Sequence, residues 1–113
     1  MSNKNSDLIS VQRQLVGVAE TLSRAQERAD DANTVRAIGR EIVEVNHRIT
    51  MIGQVIFKSR TRKITAAARA VISARRSVDA AIKATDKLKN FVTAITRFLA
   101  LVDKVIDTAK LAA

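Results

Sequence analysis

Glu44 and His47 form the one pair in this chain whose residue types and spacing resemble a metal-binding element. A glutamate followed three residues later by a histidine supplies ligands in di-iron helical bundles, where two such pairs and two further glutamates point into the core. His47 is the only histidine, so one chain cannot supply a second pair. Both side chains lie away from the apolar positions around them. We therefore expect a solvated face without metal, on which Glu44 forms ion pairs with Arg40 and Arg48.

Residues for covalent catalysis and for phosphate binding in a loop are missing as well. The chain has no cysteine, no Gly-x-Ser-x-Gly turn and no glycine-rich loop, because its three glycines stand alone. We predict a protein that is not an enzyme, with no cofactor and no small-molecule substrate. The lack of cysteine excludes disulfides, and neither an apolar signal segment nor a transmembrane run is evident, which together predict a cytoplasmic location.

Positive charge is concentrated in the second half of the chain. The net charge is +9: residues 1–57 hold seven basic and seven acidic side chains, whereas residues 58–113 hold thirteen basic and four acidic ones. Seven basic residues and no acidic one occur between Lys58 and Arg76. A charge of this sign attracts phosphates and other anions.

Basic residues recur at intervals of seven in this half, opposite the apolar positions. The candidate contacts for an anion or a nucleic acid are Arg62, Arg69, Arg75, Arg76, Lys83, Arg97 and Lys104. On one continuous helix, most of them would form a basic ridge over residues 62–104 with steps of about 10.5 Å. Such a ridge follows phosphates by charge alone, although the exposed positions of any basic helix carry arginine and lysine. Base stacking is disfavoured, because tyrosine and tryptophan are absent and the phenylalanines fall on the apolar side.

Apolar residues at alternating three- and four-residue spacing define three seams, each of which predicts an amphipathic helical segment. The first seam is Leu8, Val11, Leu15, Val18, Leu22, Ala25, Ala29 and Ala32. The second seam is Val35, Ile38, Ile42, Val45, Ile49, Ile52 and Ile56. The third seam is Ile64, Ala67, Val71, Ala74, Val78, Ala81, Thr85, Leu88, Val92, Ile95, Leu99, Val102, Ile106, Ala109 and Ala113.

The phase of these seams predicts where the chain turns. It shifts by one residue near residues 32 and 60 but not near residue 88. We predict one all-α domain over residues 1–113, with flexible residues 1–5 and an up-down four-helix bundle. Its helices cover residues 6–31, 34–58, 62–87 and 90–112, each about 38 Å long or slightly less. Alternatively, residues 62–112 form one helix, and the chain is a long antiparallel hairpin with arms of about 75 Å that dimerises.

Local signals and residue sizes add expectations about caps and packing. Asn5 or Ser6 is expected to cap the first helix, and Asn33 or Thr34 the second. Asn90 is a candidate cap for the fourth. Because both architectures reverse near residue 60, the isoleucine-rich second seam should face the alanines of the third, and the phenylalanines of the last segment should be buried.

The leading functional expectation is a non-enzymatic helical protein–protein interaction module, such as an adaptor, a chaperone-like protein or an assembly subunit. Its partner would be another helical chain or a second copy of itself in a homo-oligomer. The first alternative is a nucleic-acid-binding protein that tolerates any sequence and uses the basic ridge. The second is a cationic amphipathic protein that acts on an anionic membrane surface, which the absence of tryptophan disfavours.

Overall fold

A computed structural model describes residues 3–85 and 87–112, and four α-helices follow one another along this part of the chain. They are α1 (Ser6–Arg28), α2 (Ala32–Val55), α3 (Arg62–Lys83) and α4 (Leu88–Leu111). The predicted all-α fold and four-helix bundle are confirmed. The first three helices end three or four residues earlier than predicted. Met1, Ser2, Asp86 and Ala113, to which some predictions extend, lie outside the described residues.

The dimensions of the molecule exclude the alternative architecture. The principal axes measure 47 × 23 × 18 Å, so the hairpin with arms of about 75 Å is wrong. Residues 62–112 form two helices, which run back along each other and pack together. The turn between them contains neither glycine nor proline, which is why its position was not evident from the sequence.

Contacts between the helices show how they are arranged around the core. Packed pairs are α1–α2, α3–α4, α1–α3 and α2–α4, so α2 and α3 lie on one diagonal, and α1 and α4 on the other. The start of α1 contacts the start of α3 through Asp7 and Thr65, and Gln14 contacts Arg75 further along. The helices α1 and α3 are therefore parallel. The helices α2 and α4 are parallel as well, because Arg48 contacts Asp103, while Glu41, earlier in α2, lines a groove with Thr96, earlier in α4.

The diagonal placement of α2 and α3 contradicts the predicted pairing of isoleucines with alanines. Ile42 and Ile49 instead line a groove with Val16 and Ala19 of α1. Neighbouring helix axes lie about 8–10 Å apart, so the bundle diagonal is about 14 Å. The connection over residues 56–61 is long enough to cross that distance, because six extended residues reach about 20 Å. The chain therefore reverses direction between α2 and α3 without packing these two helices side by side.

The buried face changes position between α3 and α4, which explains how one unbroken seam serves two helices. In α3, Ala68 and Ile82 are buried beside the seam. In α4, Phe91, Phe98 and Val105 are buried on the opposite side of it, as expected for the phenylalanines. The additional buried residues therefore lie on one side of the seam in α3 and on the other side of it in α4. The seam itself conceals this rotation, since all of its positions except Thr85 are apolar.

The helix caps agree with the sequence at the first helix but not at the second or fourth. Asn5 caps α1, as expected. Asp31, rather than Asn33 or Thr34, caps α2 by accepting hydrogen bonds from the amide and hydroxyl of Thr34 at 2.8 and 2.9 Å. The Thr34 amide bond lowers the pKa of Asp31. A carboxylate at this position also complements the helix dipole. The fourth helix begins at Leu88, so the expected cap at Asn90 is wrong.

Asn5 also joins α1 to the connection that crosses the bundle. Its side chain is 4% exposed, and its Oδ1 accepts hydrogen bonds from the amides of Asp7 and Leu8 at 2.9 and 3.3 Å. The Nδ2 donates to the carbonyl of Lys58 at 2.9 Å, and the backbone amide donates to that of Ile56 at 2.7 Å. Asn5 thus belongs to the folded bundle.

Replacing Asn5 is expected to destabilise the bundle strongly. The Asn5→Ala variant should lose about 2–3 kcal/mol of unfolding free energy in urea titrations, because it removes a helix cap and leaves the partly buried carbonyl of Lys58 without its donor. An Asn5→Ser variant should lose less, because serine is also a good N-cap residue and the change removes only the hydrogen bond to Lys58. Asn3 is exposed and is the matched control. Equal losses in Asn3→Ala and Asn5→Ala would contradict the role of Asn5.

Candidate functional site

The exposed side of α3 carries a row of four cations, Arg62, Arg69, Arg76 and Lys83, which we call the α3 basic row. They are spaced by seven residues, or about 10.5 Å along the helix axis. All four side chains are exposed. Within the described residues, Arg62, Arg69 and Arg76 form no ion pair and no hydrogen bond with another side chain. Their guanidinium groups are therefore available to an external anion.

The surface between these cations is built from small side chains. The other exposed residues between Arg62 and Lys83 are Lys63, Ala66, Ala70, Ile72, Ser73, Ser77 and Ala80. Only Ile72 among them is large and apolar. Asp79 is the one acidic residue of α3, and it forms an ion pair with Arg75 at 2.9 Å. The α3 basic row therefore has no unpaired carboxylate on its own helix to neutralise it.

Arg75 was predicted as a contact residue, but the structure places it in the contact between α1 and α3. Its guanidinium donates to Asp79 at 2.9 Å and to the side-chain oxygen of Gln14 at 3.1 Å. A Cβ atom at Gly17 would overlap this guanidinium, so glycine is what allows the close approach. Arg75 is therefore a packing residue, and the prediction that it meets an external anion is not supported by its position.

Arg97 and Lys104 are exposed, but they do not extend the α3 basic row. The predicted ridge over residues 62–104 required one continuous helix. Since α4 runs back along α3, its cations lie on a second helix. Lys104 lines a groove of about 310 Å³ together with Lys63 and Ala70 of α3. The continuous ridge is thus wrong, and the charge divides into the α3 basic row and a smaller basic edge on α4.

Cations at the helix contacts and in the crossing connection, in contrast, have partners. Arg60 pairs with Asp7 at 3.0 Å, and Lys58 donates to the carbonyl of Ala112 at 3.0 Å. Arg48 pairs with Glu44 at 2.8 Å and with Asp103 at 3.0 Å. The stretch of seven cations between Lys58 and Arg76 therefore separates into residues that hold the bundle together and residues that face outward.

The groove between α2 and α4 contains the most organised charge network of the described residues. Arg48 bridges Glu44 and Asp103, and these hydrogen bonds raise the pKa of its guanidinium. Glu41 lines the same groove, where burial and the neighbouring Glu44 raise the pKa of its carboxyl. The expected ion pair between Glu44 and Arg48 is confirmed, whereas the one expected between Glu44 and Arg40 does not form among the described residues. This network joins two parallel helices.

His47 and Glu44 are exposed, as the seam predicted. No group of three or more histidine, cysteine or acidic residues close enough to hold a metal ion occurs in the described part of the chain.

Two features of the surface were not anticipated. Phe57 is 64% exposed at the end of α2, so the expectation that every phenylalanine is on the apolar side is wrong for this residue. Leu111 is 89% exposed, and its neighbour Ala112 accepts the hydrogen bond from Lys58. The sequence did contain a signal for this exposure, since neither residue occupies a seam position: Phe57 follows the second seam and Leu111 lies outside the third.

Comparison with protein-family models, with curated proteins and with solved structures gave no match for this chain. None of the helices over the described residues has both the length and the apolar character needed to cross a bilayer. The candidate function must therefore be argued from the surface itself.

Replacing Glu41 by glutamine is expected to stabilise the protein at neutral pH. Because the carboxyl pKa is raised above 4.5, the folded state binds this proton more tightly than the unfolded state. The protonated Glu41 side chain thus makes its full contribution to the free energy of unfolding when the pH is below the ordinary pKa of glutamate. This contribution is lost as the pH rises through the pKa that Glu41 has in the folded state. Thermal unfolding should show a small increase in Tm for Glu41→Gln at about pH 7 and none at about pH 3.5. Glu27, exposed on α1, is the control. An equal increase at both pH values would contradict this explanation.

Proposed function

We propose that this protein is a non-enzymatic interaction protein that binds a negatively charged partner through the α3 basic row. One observation supports this most directly: cations at the helix contacts have partners, whereas Arg62, Arg69 and Arg76 are exposed and have none among the described residues. Three exposed arginines in a row on one helix create a positive surface potential, which attracts an anionic partner.

Because the apolar seams are largely buried, the exposed charges are a better candidate for the binding surface than the seams are. Pairing with another helical chain was expected to use the apolar seams, but most of their central positions are buried within one chain. A surface that is already covered offers little to a second chain. The α3 basic row remains exposed, and we place its partner in the cytoplasm, which a cysteine-free chain fits.

A helical partner, or a second copy of the chain, remains a second candidate because one groove is only partly covered. Val16, Ala19, Ile42 and Ile49 line a groove of about 480 Å³ between α1 and α2, and Val16 is 41% exposed. An amphipathic helix could fill it. Analytical ultracentrifugation should then show dimers that a Val16→Glu variant abolishes. A monomer at all concentrations would exclude self-association through this groove.

Chromatography on immobilised heparin tests whether charge placement, rather than total charge, determines binding. A triple variant with Arg62→Gln, Arg69→Gln and Arg76→Gln should elute at clearly lower salt than the unmodified protein. The matched control replaces Arg13, Arg28 and Arg40, which are exposed on α1 and α2, and removes the same three charges. It should elute close to the unmodified protein. Equal shifts in both variants would show that only net charge matters and would contradict the proposed surface.

A further inference from the structure

We propose that the partner of the α3 basic row is double-stranded nucleic acid, held through its phosphates and without preference for sequence. This inference rests on the proposed function and identifies the anion. Three observations support it: the length of the row, the composition of the surface around it, and the position of the exposed phenylalanine outside it.

The length of the row suits a duplex. Arg62 and Lys83 are separated by 21 residues, which correspond to about 32 Å of helix. One turn of B-form DNA is about 34 Å. If α3 lies along the duplex, its first and last cations therefore reach phosphates one turn apart, and Arg69 and Arg76 face the backbone or the groove between them. A rigid helix holds this spacing without the entropy cost of ordering a loop.

The composition of the surface favours phosphates over a protein or a membrane. Protein interfaces concentrate binding energy in central clusters of aromatic and arginine side chains that are shielded from water, and peripheral membrane helices insert large apolar residues. The surface around the row offers alanine and serine, and Ile72 at its edge is the one large apolar residue. Small side chains also let a phosphate backbone approach the helix closely while the longer arginines reach around it.

The aromatic residues favour a duplex over a single strand. Proteins that hold single strands stack several bases on aromatic side chains. Phe91 and Phe98 are buried in the core, and Phe57 alone is exposed, beyond the end of α2. One aromatic residue outside the row cannot form a series of stacking positions. A duplex, whose bases are already paired and stacked, requires only the cations.

Fluorescence anisotropy with labelled duplexes of about 20 base pairs, or two turns, tests the inference. Two unrelated sequences should bind with equal affinity and more tightly than a single strand of the same length. If four phosphates are neutralised, affinity should fall about 150-fold between about 50 and 200 mM salt. In the triple variant at Arg62, Arg69 and Arg76, affinity should fall only about fourfold over the same salt range, because one cation of the row remains. The control at Arg13, Arg28 and Arg40 should keep the full salt dependence.

Other ligands in the same assay separate the failure of this inference from that of the proposed function. Binding to a polyglutamate peptide or to anionic vesicles that requires Arg62, Arg69 and Arg76, without binding to duplexes, would overturn the nucleic-acid inference and leave the proposed function standing. Tighter binding to the single strand that Phe57→Ala abolishes would also overturn it. Absence of binding to every polyanion at low salt would overturn both. An unchanged salt dependence in the α3 triple variant would show that nucleic acid binds elsewhere.

Discussion

The crossing connection between α2 and α3 is the constraint on which the rest of the structure depends. It carries the chain over the bundle diagonal and places α3 beside α1 rather than beside α2. Asn5 fastens this connection to the start of α1, and Asp7 adds an ion pair to Arg60 and a hydrogen bond to Thr65. Polar contacts with this geometry are directional, whereas apolar burial is not, so these contacts favour the placement of α3 beside α1.

This placement of α3 determines which charges remain available. With α1 on one flank and α4 on the other, the side of α3 that carries Arg62, Arg69 and Arg76 faces outward. Arg75 is directed into the contact with α1, where Gln14, Asp79 and the space above Gly17 receive it. Had α3 packed against α2, other side chains would have filled these roles. The proposed binding surface is therefore a consequence of packing and not of composition alone.

The sequence predicted those features that depend on periodicity within one helix. It predicted the four helices, the burial of Phe91 and Phe98, and the outward position of His47, because each follows from which side of a helix is apolar. It did not predict which helices meet, since a seam identifies an apolar face but not the helix that covers it. The continuous ridge failed for a related reason: the turn before Leu88 has no glycine or proline, and the seam keeps its phase across it.

An isotope-labelled sample titrated with a DNA duplex, and followed by amide chemical shifts, tests most directly whether the exposed side of α3 is the working surface. The predicted result is a set of fast, saturable shifts confined to α3 and the adjoining connection around Arg60, with the core amides of α1 and α2 unchanged. Shifts centred on the α1–α2 groove, or a loss of the bundle's signals on binding, would contradict a preformed α3 surface that binds without rearrangement.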